Sequence, residues 1–118
     1  MRADRAGGRT AAPTIARMVR FLVLYDRPDD PEAFDRHYRD VHIPLAKKLP
    51  GLRRYTISRD PTPVGGGEPY YLVAELDWED MPALQHAFQS PEGQATAADV
   101  TNLAGGGVHS MIFDLEEV

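Results

Sequence analysis

Hydrophobic positions along the chain change period several times, and each change marks an element. Val19, Phe21, Val23 and Tyr25 alternate with their neighbours, which predicts a strand over Met18–Asp26. It ends in the turn cluster Arg27-Pro28-Asp29-Asp30. Asp30 before Pro31 suits a helix N-cap with proline at the first helical position, and Glu32 suits the positive end of the helix dipole. Phe34, Tyr38, Val41 and Leu45 then recur at helical spacing and predict a packed face, with Arg36, Arg39, Asp40 and Lys47 off it. Pro44 removes the hydrogen bond to the Asp40 carbonyl and disfavours helical geometry at Ile43, so a kink or pause is expected right after His42.

Pro50-Gly51 ends that helix, and Leu52–Asp60 reads as a second strand with Tyr55 and Ile57 on one face. A flexible loop, Pro61 to Gly67, leads to a third strand, Pro69–Glu79. One face of it carries Tyr70, Leu72, Ala74, Leu76 and Trp78; the other carries Tyr71, Val73, Glu75 and Asp77. Asp80 caps a short helix bearing Leu84, Ala87 and Phe88, and Ser90-Pro91-Glu92 opens further helix to about Leu103. After Gly105-Gly106-Gly107 comes a last strand, Val108–Glu116, with His109, Met111, Phe113 and Leu115 on one face. The order β-α-β-β-α-β predicts an α+β, ferredoxin-like domain over 18–118, its helices on one face of an antiparallel sheet. The other sheet face mixes apolar and charged residues, and a second copy of the chain would cover it.

Composition narrows the function. The 118 residues include no cysteine, which removes disulfides, thiolate nucleophiles and cysteine-based metal sites. Residues 1–17 hold four arginines against one aspartate, so the remaining residues carry −8 of the net −5. An acidic domain repels a phosphate backbone, so no nucleic acid partner is expected. Residues 1–17 read as a disordered tail with no apolar signal region, and a translation start at Met18 would fit the periodic sequence. No apolar run is long enough for a membrane, and a cytoplasmic location is expected.

His42 stands out among the side chains that can move protons. It lies four residues after Tyr38 and just before the Ile43-Pro44 break, at the edge of the apolar stripe. A half-sheltered imidazole there titrates near neutral pH and suits acid–base chemistry; the alternative is a histidine that only satisfies a freed carbonyl. Tyr55 faces the helices, where its hydroxyl can meet a ligand or His42; the alternative is an amphipathic core residue. His109 begins the last strand on an apolar-looking face and is a candidate pocket residue. His37 and His86 fall on polar helix faces and read as solvated. His37 and His42 are five apart, a poor spacing for joint metal ligation from one helix, and no metal-ligand pattern is present.

Phe34-x3-Tyr38-x3-His42-x-Pro44-Leu45, followed by Leu49-Pro50-Gly51-Leu52-x2-Tyr55, resembles the EthD family. Pro69-Tyr70-Tyr71, Phe88 to Glu92, and Asp99 are similar to it as well. The resemblance covers Met18–Val118. It implies a dimeric α+β barrel with a pocket between sheet and helices in each subunit, and work in catabolic or aromatic polyketide pathways. Methylmuconolactone isomerases look like a related branch, in which a helix histidine and a strand tyrosine matching His42 and Tyr55 belong to the active site. That branch has a second histidine where this chain reads Gly66-Gly67-Glu68-Pro69, so Glu68 is the residue in its place.

Three functions follow as expectations. The first is an enzyme that needs no cofactor and isomerises, decarboxylates or cyclises a small organic substrate. In it His42 and Tyr55 are catalytic, and Tyr38, Glu68 and His109 bind substrate. The second is a cofactorless or haem-dependent monooxygenase, in which His42 could serve as an iron ligand although nothing in the sequence singles it out as one. The third is a ligand-binding accessory protein with no reaction of its own. A homodimer is expected in each.

Overall fold

The first strand, β1 (Val19–Tyr25), lies inside a four-stranded sheet of order β2-β3-β1-β4. This computed structural model describes residues 18–103, 105 and 107–118. The tail expected at 1–17 and part of the triple-glycine turn lie outside the described residues. After β1 come α1 (Pro31–His37), a π-helical turn (Tyr38–His42) and α2 (Ile43–Ala46). Then follow β2 (Arg54–Arg59), β3 (Leu72–Trp78), α3 (Met81–Gln89), α4 (Pro91–Leu103) and β4 (Val108–Asp114). All three strand pairings are antiparallel, with Val23 opposite Ala74 on one side and Ser110 on the other. This is the ferredoxin-like α+β fold.

The caps fall where the sequence places them. The Asp30 carboxylate accepts from the Ala33 amide at 3.2 Å, and Asp80 accepts from Ala83 at 2.9 Å. Each satisfies an amide that the first helical turn leaves unpaired.

The Pro44 region differs from expectation. The chain does not pause after His42: Ile43 keeps helical dihedrals, φ −58° and ψ −48°. The adjustment comes one turn earlier. The Ile43 amide donates to the Tyr38 carbonyl, five residues back rather than four. This wider turn rotates the face of the helix. Phe34, Tyr38, His42 and Ala46 point inward and are buried, while Val41, expected inside, is 39% exposed. A uniform α-helix would have placed Val41 nearer the core and His42 at its edge.

The core lies between the sheet and these helices. Val19, Val23, Tyr25, Leu72, Ala74, Leu76 and Trp78 supply its sheet side. The Trp78 indole donates to the Pro50 carbonyl at 2.9 Å, so its polar edge is satisfied. α3 and α4 meet at a tight corner. Ser90 donates its hydroxyl to the Ala87 carbonyl and accepts from the Gly93 amide. A methyl group on buried Gly93 would lie 2.7 Å from the Phe88 carbonyl oxygen and closer still to that of Ala87, so only glycine fits.

On the other sheet face, strand alternation places Leu22 and Leu24 of β1 beside Glu75 and Val73 of β3, and beside Met111 and His109 of β4. Arg20 grips Asp77 with two hydrogen bonds of 2.8 and 3.0 Å and reaches Glu75 at 3.1 Å. Asp77 is almost fully buried under this bidentate contact.

Candidate active site

A cavity of about 300 Å³ opens between the sheet and the helices. Its walls are mostly apolar, with Phe21, Val23, Leu49, Leu76, Phe88 and Val100 among them. The polar groups that line it include Tyr38, His42, Tyr55, Thr96 and Ser110, and among the described residues no lysine or arginine lines it.

His42 enters this cavity because of the π turn. Its Nδ1 lies 2.9 Å from Asp99 Oδ2, and both side chains are buried. Asp99 comes from α4, 57 positions away in the sequence. Its other oxygen, Oδ1, lies 2.8 Å from His37 Nε2 and accepts from the Asn102 amide at 2.9 Å. Burial alone would raise the Asp99 pKa, but the donors on Asn102, His37 and His42 outweigh it and hold the carboxyl below its usual range. An ionised carboxylate only accepts, so in neutral His42 the proton sits on Nδ1 and Nε2 keeps a lone pair. Burial pulls the His42 pKa below its ordinary value, and the attraction of Asp99 offsets this only in part. The imidazole is therefore held neutral and oriented, with one basic nitrogen unused by Asp99.

Two hydroxyls complete the polar part of the wall. The Tyr38 and Tyr55 oxygens are 2.6 Å apart, and either can donate. Burial raises both phenol pKa values; the bond from Tyr38 works against the rise at Tyr55. Both remain protonated donors over the range in which His42 titrates. A ligand oxygen in the cavity selects one arrangement: Tyr38 donates to Tyr55, and Tyr55 donates to the ligand. The Tyr38 ring also packs against His42, with centroids 5.2 Å apart.

Of the five residues singled out from sequence, three line the cavity together: His42, Tyr55 and Tyr38. Tyr55 meets Tyr38 rather than His42. The other two stand elsewhere. Glu68 is exposed in the loop before β3 and is not part of the wall. His109 lies on the opposite sheet face, because in β4 it is Val108 and Ser110 whose register partners are the inward Tyr25 and Val23. There its Nε2 is 3.3 Å from Asp26. Sequence reasoning did not assign Asp99 a role in the site, and it took His37 for a solvated residue. Residues five apart align across a π turn, and this turn lets His37 and His42 reach one carboxylate. Only the family-like position of Asp99 signalled it beforehand.

Comparison with known proteins agrees with this architecture. The EthD domain model matches residues 27–107. An uncharacterized 11.0 kDa protein from the thcB-thcC intergenic region of Rhodococcus erythropolis is 40% identical over 101 residues, covering 86% of this chain and 98% of that protein. The crystal structure of an ethyl tert-butyl ether D family protein from Bacillus halodurans is 37% identical with a TM-score of 0.76, covering 83% of this chain and 98% of the other. SnoaB, a cofactor-independent oxygenase from Streptomyces nogalater, is 21% identical with a TM-score of 0.62 over 87% of this chain and 97% of its own. Further ferredoxin-like neighbours, described as dimeric, share only the fold. The family match and the two closely similar relatives agree across most of the chain, which therefore belongs to the EthD family.

Proposed function

We propose that this protein is an enzyme of proton-transfer chemistry, working without a cofactor on a small, neutral, largely apolar organic molecule. The observation that carries the proposal is the buried His42–Asp99 pair on the wall of a cavity that also holds the Tyr55 hydroxyl. His42 Nε2 removes a proton from the substrate. Asp99 stabilises the imidazolium that forms, and Tyr55 donates to the oxygen on which negative charge develops. Tyr38 supports Tyr55 from behind. The same proton, held on His42, is then returned at another atom for isomerisation or cyclisation.

Among the described residues no lysine or arginine lines the cavity, which favours a neutral substrate, since a carboxylate there would lack a cationic partner and carry a large desolvation cost. A hydroxynitrile lyase from Passiflora edulis and the oxygenase SnoaB share the fold, at 16% and 21% identity. They support the reading by analogy of fold alone. A homodimer, formed through the open sheet face, is part of the proposal; its support is the apolar patch around Leu22, Leu24 and Met111 and the dimeric fold neighbours.

The test uses a probe that reports any well-placed base in an apolar pocket: ring opening of a nitrobenzisoxazole, followed by absorbance. The expected result is catalysis that His42→Ala abolishes and Asp99→Asn weakens. Equal rates for native protein and His42→Ala reject the assignment. Binding of neutral aromatic ligands without any His42-dependent turnover would favour the accessory-protein reading.

A further inference from the structure

His37 has no place in the reaction as described, yet it is built into the site. Asp99 uses one oxygen for His42 and the other for His37. The two imidazoles differ in setting: the His42 side chain is 6% exposed and lines the cavity, whereas that of His37 is 31% exposed. His37 opens instead onto a second cleft, lined by Pro28, Asp29, Asp30, Phe34 and Asn102 among others. One carboxylate thus joins an imidazole in the cavity to an imidazole at the surface.

We propose that His37 is a positioning residue for this site: from the solvent side it holds the Asp99 carboxylate onto His42 and sets how readily His42 takes a proton. The proposal rests on the reading of His42 as the base. Its physical content is simple. Asp99 needs donors on both oxygens to be fixed in one orientation, and His37 and Asn102 supply those on Oδ1. When His37 is protonated, its charge draws on the same carboxylate and opposes a second positive charge on His42. When His37 is neutral, Asp99 is left to favour an imidazolium in the cavity. The charged and titratable groups around this chain of contacts include Asp99 between the rings, Asp29 and Asp30 across the second cleft, Tyr38 against His42 with Tyr55 bonded to it, and Tyr25, whose pKa Asp99 helps to raise. Solvent protonation on one side of the helix is thereby felt on the other with no movement of the fold.

The experiment is nitrogen-detected NMR of the histidine rings in the full chain, titrated with pH, for native protein, H37Q, H37R and D99N. In H37Q the His42 midpoint should rise by roughly half a pH unit or more, because the competing positive charge is gone while the glutamine amide can still donate to Asp99. The Nδ1–H tautomer of His42 should persist there, since Asp99 remains. In H37R, which keeps a permanent charge, the midpoint should stay at or below the native one. A His42 titration that is unmoved in H37Q overturns the proposal and leaves the His42–Asp99 pair standing. Should H37Q not fold, a midpoint in H37R above the native value overturns it instead. D99N addresses the underlying reading separately: an unchanged His42 tautomer and midpoint in that variant would reject the pair as the base, and with it the role of His37.

Discussion

The two faces of the sheet use polar groups in opposite ways. On the covered face, a few polar side chains are held inside apolar walls, and one imidazole is kept neutral by burial. On the open face, charges are paired with each other: Arg20 lies between Asp77 and Glu75, with leucines beside them. Where charge is matched within the face, its only visible task is to hold the strands and suit a partner. Where a base held by Asp99 turns its other nitrogen toward the cavity, that nitrogen stabilises nothing in the fold, and its purpose lies in what enters. Function is legible in this protein as polar groups that the fold isolates rather than satisfies.

The largest expected effect comes from removing the isolated base. His42→Ala should lower turnover by about 10²–10⁴-fold, or roughly 3–5 kcal/mol of transition-state stabilisation, while the protein still folds. Gly93→Ala strikes the frame of the same face. The new methyl must push the α3–α4 corner apart, which should cost roughly 2–3 kcal/mol in denaturant unfolding and distort the cavity it lines. If its stability matches the native protein, the corner is not as tight as described.

The open face gives the contrasting case. Leu22→Glu puts a third acid near Glu75 and Asp77 and should shift the proposed dimer to monomer in light scattering, at micromolar concentration. The cavity's proton chemistry should suffer far less than in His42→Ala. An unchanged dimer would place the interface elsewhere. Tyr55→Phe is milder still, removing one hydroxyl: about 1 kcal/mol, roughly fivefold in turnover, is expected.

Acid should separate the faces gradually. His42 has a native pKa below its unfolded value of about 6.5, so the unfolded chain binds the proton first and stability declines as pH falls below that point. Asp99, with its native pKa depressed, contributes stability above about pH 3.9, and this contribution is lost as pH drops through its folded value. Both groups lie on the covered face, so His42→Gln should flatten the first decline. A pH–stability curve identical to that of the native protein would contradict the buried, neutral imidazole.

Much of this molecule was determined by local sequence. The strand alternation in Val19–Tyr25 and Leu72–Trp78, the caps at Asp30 and Asp80, and the turns at Pro50-Gly51 and the glycine clusters are short-range signals, and they led to the right order of elements. Tyr38 and Tyr55 were also identifiable, because helix and strand periodicity turns each toward the sheet–helix interface, and His42 stood out at the edge of the helical stripe. Other features were decided only in three dimensions. Proline at position 44 announces a disturbance but not its form, and the π turn that absorbs it moves Val41 outward and His42 inward. Alternation in Val108–Asp114 says which residues share a face, yet the register against Val19–Tyr25 decides that Ser110 and not His109 meets the cavity. Asp99 lies 57 and 62 residues from its two histidines, and no local pattern links them. Periodicity acts over a few residues, whereas a carboxylate shared between two imidazoles exists only after distant segments pack.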